Sequence, residues 1–291
     1  MSQFATPRVL PGSAQAGVRI PDRTLPLIRD LVHDRTGLFY DDGRLDVVAD
    51  RLTPLAAARG FDSLLDYYYL LKYDQKADEE WVRAVDALSV RETYFWREFD
   101  QVRALTDVIL PRLVALRRRT IRIWSVPCAT GEEPLTLAMA LTEAGWFGRV
   151  PIELRAGDAS GEALARARRG RYAMRAFRQL PSELRERYFD YDAQAGEWVA
   201  RPALHQLVSS WVRINVMQPA ELRALEGADV VFCRNLFIYF REAGVRQVVN
   251  GLAALMSSPG FLCVGAAESL LRLGTPFDLE DVGGAYVYVK S

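Results

Sequence analysis

Histidine and cysteine are scarce in this chain, two and three residues among 291. His33 and His205 lie far apart with no ligand-like spacing, and Cys128, Cys233 and Cys263 include no CxxC pair. That pattern excludes a zinc framework and a tidy set of disulfides. No metal site is expected, and the three cysteines, in or beside predicted strands, read as reduced core thiols. Net charge is missing too. Lys+Arg and Asp+Glu each number 37, so the basic excess of a general nucleic-acid binder is absent, and no nucleic-acid partner is expected. No apolar run reaches membrane-spanning length, and the N-terminus has no signal-peptide pattern. The chain is therefore expected to be cytoplasmic, without direct insertion into a membrane. Half the residues are hydrophobic and a quarter charged, the ordinary balance of a soluble globular protein, with length enough for one large core or two smaller ones.

Residues 1–20 mix Pro, Gly, Ser, Ala and Gln without periodicity and are expected to be a disordered lead-in. Helical periodicity then runs to about residue 90. Leu27, Ile28, Leu31 and Val32 share one face and Gly37 ends that helix. Leu45, Val48, Ala49, Leu52 and Leu55 form a second face, Leu64, Leu65, Tyr68 and Leu71 a third, and Trp81, Val85 and Leu88 a fourth. Residues 21–90 thus predict a small all-α domain. The stretch Glu92-Thr93-Tyr94-Phe95-Trp96-Arg97-Glu98 is dense in aromatics. Its rings suit either core packing between two domains or a clasp over a ligand, with Arg97 facing an anion and Thr93 a polar edge. A linker helix carrying Val102, Leu105, Val108 and Ile109 is expected to end near Pro111, within a connecting segment 91–118.

From residue 119 the pattern becomes α/β. Residues 121–126 predict a buried strand, residues 127–131 a tight loop, and Glu132, Glu133 and Pro134 the first turn of a helix with Leu135, Leu137, Ala138 and Leu141 inward. Ligands of such sheets sit beyond the carboxyl ends of the strands. The loop has one glycine, Gly131, rather than the three of a dinucleotide fingerprint, and two carboxylates where a pyrophosphate would lie. That charge suits a ligand with a positive centre, such as the sulfonium and ammonium of S-adenosylmethionine, better than NAD or ATP. It equally suits a helix dipole that needs nothing else. Residues 151–158 predict a second strand whose terminal Asp158 can accept from both hydroxyls of a ribose. Leu164, Ala165, Arg168 and Arg169 lie on a helix that stops at Gly170. Residues 188–210 predict a small antiparallel insertion, 211–215 a third strand, 229–233 a fourth, 261–265 a fifth, and 285–289 a final antiparallel strand.

The set Glu92 to Glu98, Trp124-Ser125, Ala129-Thr130-Gly131-Glu132-Glu133-Pro134, Gly157-Asp158, Asn215-Val216 and Phe232-Cys233-Arg234-Asn235-Leu236-Phe237-Ile238-Tyr239-Phe240 closely resembles the chemotaxis receptor-glutamate methyltransferases, the CheR family. The resemblance runs from about residue 25 to 290. It implies a class I S-adenosylmethionine-dependent methyltransferase domain of Rossmann-like α/β fold over 119–291, carrying the antiparallel insertion and preceded by the all-α domain. In the family the cofactor lies between the two domains. By motif, Thr93, Arg97, Glu133, Asp158, Asn215, Val216, Arg234 and Asn235 are expected to bind S-adenosylmethionine, with S-adenosylhomocysteine as product. Asp158 takes the ribose, Asn215 and Val216 flank the adenine, and Arg234 and Asn235 sit by the methionine end.

The implied reaction forms methyl esters on glutamate side chains of a methyl-accepting chemoreceptor, acting on its cytoplasmic helical region, with the enzyme a monomer. A sulfonium methyl is already electrophilic and a carboxylate already nucleophilic, so positioning is what the protein must supply. Arg97 and Tyr239 are the catalytic candidates: Arg97 for gripping the substrate carboxylate through its fork of donors, Tyr239 for bonding the reacting oxygen or shaping the methyl path. The other reading is a non-catalytic signalling adaptor that keeps the cofactor pocket. Several positions depart from the family pattern: Pro127-Cys128-Ala129 precedes the first-loop motif, Leu135 replaces a common Tyr, Arg91 a common Asn, and Gly265-Ala266-Ala267-Glu268 lacks the histidine of Gly-His-Ser-Glu. In the helical domain, Arg44, Arg51 and Arg59 suggest a basic face for docking on a receptor, or a solvated face. The insertion can grip a receptor tail by strand addition, which the loop from Asp192 to Glu197 does not decide.

Overall fold

The computed structural model describes residues 18–291. Residues 1–17 of the expected lead-in lie outside the described residues. Arg19 is already structured, its N–H donating to Asp62 O (2.8 Å) while its carbonyl accepts from Leu64 N–H (2.9 Å). Contacts divide the chain into two units, one up to Val90 together with Tyr239–Arg241, the other Arg91–Ile238 with Glu242–Ser291.

The smaller unit is helical. It comprises α1 (Thr24–Thr36), α2 (Leu45–Ala58), α3 (Leu64–Tyr73) and α4 (Ala77–Leu88). The 3.6-residue spacing puts Ile28, Val32, Val48, Ala49, Leu52, Leu64, Tyr68, Leu71, Trp81, Val85 and Leu88 in its core; Leu27, expected inward, is exposed. Gly37 closes α1 at φ 80°, a left-handed conformation that costs a glycine little. A Cβ there would stand 2.3 Å from the Phe240 ring. Two arginines of the expected basic face of α2 have partners within the unit while remaining exposed. Arg59 donates to Glu80 Oε2 (2.7 Å) and Arg51 to Ala87 O (2.7 Å). For Arg59 the reason is the burial of Glu80, 1% exposed, which demands a cation and also takes the Tyr67 hydroxyl (2.9 Å).

The larger unit opens with α5 (Phe99–Ala104), a π turn (Leu105–Ile109) and α6 (Leu110–Ala115). This helix does not stop near Pro111 as the sequence suggests. The π turn, closed by Leu110 N–H on Leu105 O, shifts the ladder just before the proline that lacks an N–H. The strands are β1 (Ile121–Ser125), β2 (Ile152–Asp158), β3 (Arg171–Tyr172), β4 (Phe189–Asp192), β5 (Glu197–Ala200), β6 (Val208–Arg213), β7 (Val230–Phe232), β8 (Gly260–Cys263), β9 (Asp278–Val282) and β10 (Ala285–Lys290). Seven of them form one sheet in the order β6-β2-β1-β7-β8-β10-β9. The first five are parallel and β10 runs antiparallel between β8 and β9. The helices α7 (Glu132–Glu143), α8 (Gly161–Arg169) and α9 (Glu242–Leu255) provide crossovers. This is the expected Rossmann-like class I methyltransferase sheet, whose order reverses between β1 and β7, the switch point at which ligands of such folds bind.

Three elements differ from expectation. β9 was not foreseen; its Asp278, Glu280 and Asp281 suit an outermost strand but hide its strand character. The small antiparallel sheet, ordered β3-β5-β4, takes β3 from upstream of residues 188–210. Val208 belongs instead to β6, beside β2. Tyr172, Phe177 and Phe189 surround Phe95 at centroid distances of 4.9–5.0 Å, Phe177 stacked and the other two edge-on, so the small sheet shares the core of the larger unit.

Two outcomes follow from this packing. Gly37→Ala should lower unfolding stability by about 2 kcal/mol, read as a shifted denaturant midpoint; an unchanged midpoint would mean that the Phe240 ring moves at no cost. Cys128, Cys233 and Cys263 are buried and free, and burial pushes the Cys263 thiol up to about 12. Native protein should leave all three unmodified by an aromatic disulfide reagent that labels them after unfolding.

Candidate active site

The carboxyl ends of β1, β2 and β7 carry most of the expected site. After Ser125 the chain enters the first loop, where Ala129 stands at φ 46° and Gly131 at φ 99°. Cys128 N–H donates to Gly157 O (2.8 Å) and Gly131 N–H to Cys128 O (3.0 Å). Asp158, the last residue of β2, binds this loop directly: its Oδ2 accepts from Ala129 N–H and its Oδ1 from Ser160 N–H, both at 2.8 Å. The departure Pro127-Cys128-Ala129 thus leaves a loop tied by backbone bonds to the neighbouring strand end. Gly131 is required here, since a Cβ would lie 2.9 Å from the Tyr172 hydroxyl and 3.2 Å from the Trp211 ring.

The two adjacent glutamates take different partners. Glu132 is buried and accepts from the Thr130 hydroxyl (2.6 Å) within its own loop. Glu133 accepts from the Ser125 hydroxyl (2.7 Å) and lies 3.5 Å from Arg234 Nε. Burial pushes both carboxyls above the ordinary value; Arg234 and the Ser125 hydroxyl oppose it at Glu133.

Arg234 follows β7 with its side chain 1% exposed. Its Nη2 donates to Arg97 O (2.7 Å) and lies 3.4 Å from Glu98 Oε2. Among the described residues its Nε has no hydrogen-bond partner. Asn235, at φ 58°, donates from Nδ2 to Glu98 Oε1 (3.3 Å). Three stretches far apart in sequence, 97–98, 125–133 and 234–235, therefore meet around one guanidinium. Ala129 and Asn235, with Trp96 and Glu98 of the linker, are non-glycine residues with positive φ. Strain of that kind gathers where surrounding structure imposes it.

The linker motif serves mainly as scaffold. Phe95 is wholly buried, and its N–H donates to Ala176 O (2.9 Å); Trp96 N–H donates to Thr136 Oγ1 (3.2 Å). Phe95 therefore packs on the inserted sheet. Thr93 is half-buried. The Arg97 guanidinium is partly exposed, donates to Glu92 O (3.2 Å) and lies beside the Tyr94 ring. Arg91, standing where the family commonly has Asn, pairs with Glu162 at 2.8 Å.

Asn215 and Val216 follow β6 and are buried. Ile214 N–H donates to Asp158 O (2.9 Å), Asn215 N–H to Glu221 Oε2 (2.8 Å) and Met217 N–H to Asn215 Oδ1 (3.0 Å). This turn is thereby anchored to the end of β2. Tyr239 belongs by its contacts to the helical unit, where its carbonyl accepts from Phe39 N–H (2.8 Å).

Sequence reasoning missed Ser125, Glu98 and Glu268 as contributors. Each stands inside or at the end of a quoted motif, but none has a local pattern that announces a hydrogen bond to a distant loop. What the arrangement offers is a set of carboxylates and one buried guanidinium at neighbouring strand ends. That set complements a ligand with hydroxyls, a cation and a carboxylate.

The sequence as a whole resembles known proteins along most of its length. Residues 91–283 match the family described as CheR methyltransferase, SAM binding domain, and residues 23–89 match CheR methyltransferase, all-alpha domain. Chemotaxis protein methyltransferase 2 of Vibrio cholerae is 32% identical over 274 residues, 93% of this chain and 94% of that protein. The probable biofilm formation methyltransferase WspC of Pseudomonas putida is 36% identical over 265 residues, 89% of this chain and 60% of that protein. Among solved structures, a putative class I S-adenosylmethionine-dependent methyltransferase of Listeria monocytogenes aligns at TM-score 0.40 and 10% identity, covering 93% of this chain and 89% of that one; so distant a likeness adds nothing to the assignment. The chain belongs to the CheR methyltransferase family, and its larger unit is that family's S-adenosylmethionine-binding domain.

Proposed function

We propose that this protein transfers a methyl group from S-adenosylmethionine to glutamate side chains in the cytoplasmic helical region of a chemoreceptor, forming methyl esters. The observation that carries this reading is the buried Arg234 guanidinium between Glu133 and Glu98, its Nε 3.5 Å from Glu133 and, among the described residues, without a hydrogen-bond partner. A buried N–H that has a nearby charge but no hydrogen bond is satisfied when a ligand supplies an acceptor. The residues fit the cofactor. Arg234 and Asn235 would hold its amino-acid end, with Glu133 complementing the ammonium. Asp158 would take the ribose hydroxyls, since a carboxylate oxygen accepts more than one hydrogen bond. Asn215 and Val216 would line the adenine, and Thr93 and Arg97 would complete the enclosure from the linker.

S-adenosylmethionine supplies a methyl group that is already electrophilic. The protein's share is to bring a glutamate carboxylate into line, strip it of water and hold it there. No general base is needed, because the nucleophile carries no proton at neutral pH. Arg97, with a partly exposed fork of donors, grips that carboxylate in two places, which a lysine does not imitate. Tyr239, four residues after Asn235, bonds the reacting oxygen. Arg59 is paired with the buried Glu80, while among the described residues Arg44 and Arg51 keep exposed, unneutralised charge on the basic face expected of α2, which supports that face as one part of the receptor docking surface.

The direct test supplies methyl-labelled S-adenosylmethionine and a purified receptor cytoplasmic fragment. The label should enter the receptor and leave as volatile methanol in mild alkali, because esters hydrolyse there and methylamines do not. Alkali-stable label would contradict a glutamate ester. Cofactor binding with no label on any receptor fragment would favour the adaptor. At saturating cofactor and receptor, Arg97→Ala should lower kcat by about 100-fold, with Arg97→Lys no better, as expected of a lost positioning contact. Tyr239→Phe should cost about tenfold, the scale of one hydrogen bond.

A further inference from the structure

Glu268 lies outside the expected site residues, yet three of the four backbone bonds to its carboxylate come from the loop that carries Arg234 and Asn235. It is 8% exposed. Its Oε2 accepts from Asn235 N–H (2.9 Å) and Gly265 N–H (2.6 Å), and its Oε1 from Phe237 N–H (2.6 Å) and Ile238 N–H (3.2 Å). These amides belong to the loops following β7 and β8, two adjacent parallel strands. Neither loop is regular enough to satisfy them internally, and buried N–H groups must be paired. One carboxylate therefore decides the course of both loops. The fit is close: a Cβ on Gly265 would stand 2.6 Å from Asn235 Nδ2 and 2.9 Å from Glu268 Oε2. Glu98 holds the same loops from another side, accepting from Asn235 Nδ2 (3.3 Å) and Ala266 N–H (3.0 Å). Ala266 contributes its N–H alone, so a missing histidine side chain there leaves this clamp intact.

We infer that Glu268 is a positioning residue for the methionine end of the cofactor: by gathering four loop amides it sets the places of Arg234 and Asn235, without touching the ligand itself. The inference rests on the reading that Arg234 and Asn235 hold the amino-acid end. Exchanging Glu268 for Gln keeps its size but turns an amide N–H₂ toward two of the four donors, whichever way the group lies. The loop must then move, while the β2 end that carries Asp158 has no part in the clamp. A residue of merely structural worth would weaken every ligand alike; a positioning residue for one end would weaken only ligands that possess that end.

The test titrates wild type, Glu268→Gln and Asp158→Ala with two ligands by calorimetry. S-adenosylhomocysteine has the amino-acid end; 5′-methylthioadenosine has the same nucleoside and sulfur but lacks it. Glu268→Gln should bind S-adenosylhomocysteine about tenfold or more weakly, the scale of a lost charge-assisted bond, and 5′-methylthioadenosine within about twofold of wild type. Asp158→Ala should weaken both. Equal weakening of the two ligands by Glu268→Gln, or none, overturns the inference while leaving the cofactor reading in place. Unchanged binding of both ligands by Asp158→Ala overturns the cofactor reading itself, and the inference with it. Should Glu268→Gln fail to fold, Glu268→Asp keeps the charge one methylene short of the amides and is read by the same pair of ligands.

Discussion

A guanidinium shut away from water has to be paired, and in this protein that demand falls on Arg234. Its position after β7 puts it at the strand-order reversal, where side chains from both halves of a doubly wound sheet converge. Glu133 reaches it from the first turn of α7, Glu98 from the linker, and Arg97 through its carbonyl. Removing one partner of such a group leaves a buried charge unmatched, at a cost of about 3–5 kcal/mol. Those partners are therefore not interchangeable with neighbours, and the courses of the linker and of α7 follow from their need to meet one cation.

The loops around this group are shaped by carboxylates rather than by regular hydrogen bonding. Asp158 takes the Ala129 and Ser160 amides, and Glu268 takes four more. Such bonds compensate the left-handed backbone at Ala129 and Asn235, which costs a non-glycine residue free energy. Groups held in place before a ligand arrives need not be ordered by it, which favours binding and in-line approach alike. The aromatic cluster at Phe95, with Tyr172 donating its hydroxyl to Thr130 O (3.0 Å), attaches the inserted sheet to the first loop, so that the insertion and the loop are packed as one piece.

Much of the fold was legible in the residues. The helices α1–α4 follow from a 3.6-residue apolar spacing, and the strand–loop–helix unit at 121–141 from an apolar run before Gly131, Glu132 and Pro134. The main misses have physical causes. β9 is outermost in its sheet, so charge replaces the apolar alternation that marks inner strands. β3 is two residues long, too short for any period. One arginine of the basic face expected of α2 is committed within its own unit, because Glu80, a charged residue in sequence, is buried and recruits Arg59. At the site, the motif residues could be named but their partners could not. Glu98 and Glu268 act on backbone amides brought near by the sheet, and no local spacing encodes that.

The central claim is that carboxylates hold these loops in their binding shape before any cofactor is present. Amide hydrogen exchange in the cofactor-free protein tests it most directly, followed at Ala129, Ser160, Asn235, Phe237 and Gly265. The account predicts exchange at those amides nearly as slow as in β1 and β7, with little further slowing when S-adenosylhomocysteine is added. Exchange as fast as in an exposed turn, slowed only by the ligand, would contradict it and would mean that the cofactor builds the site.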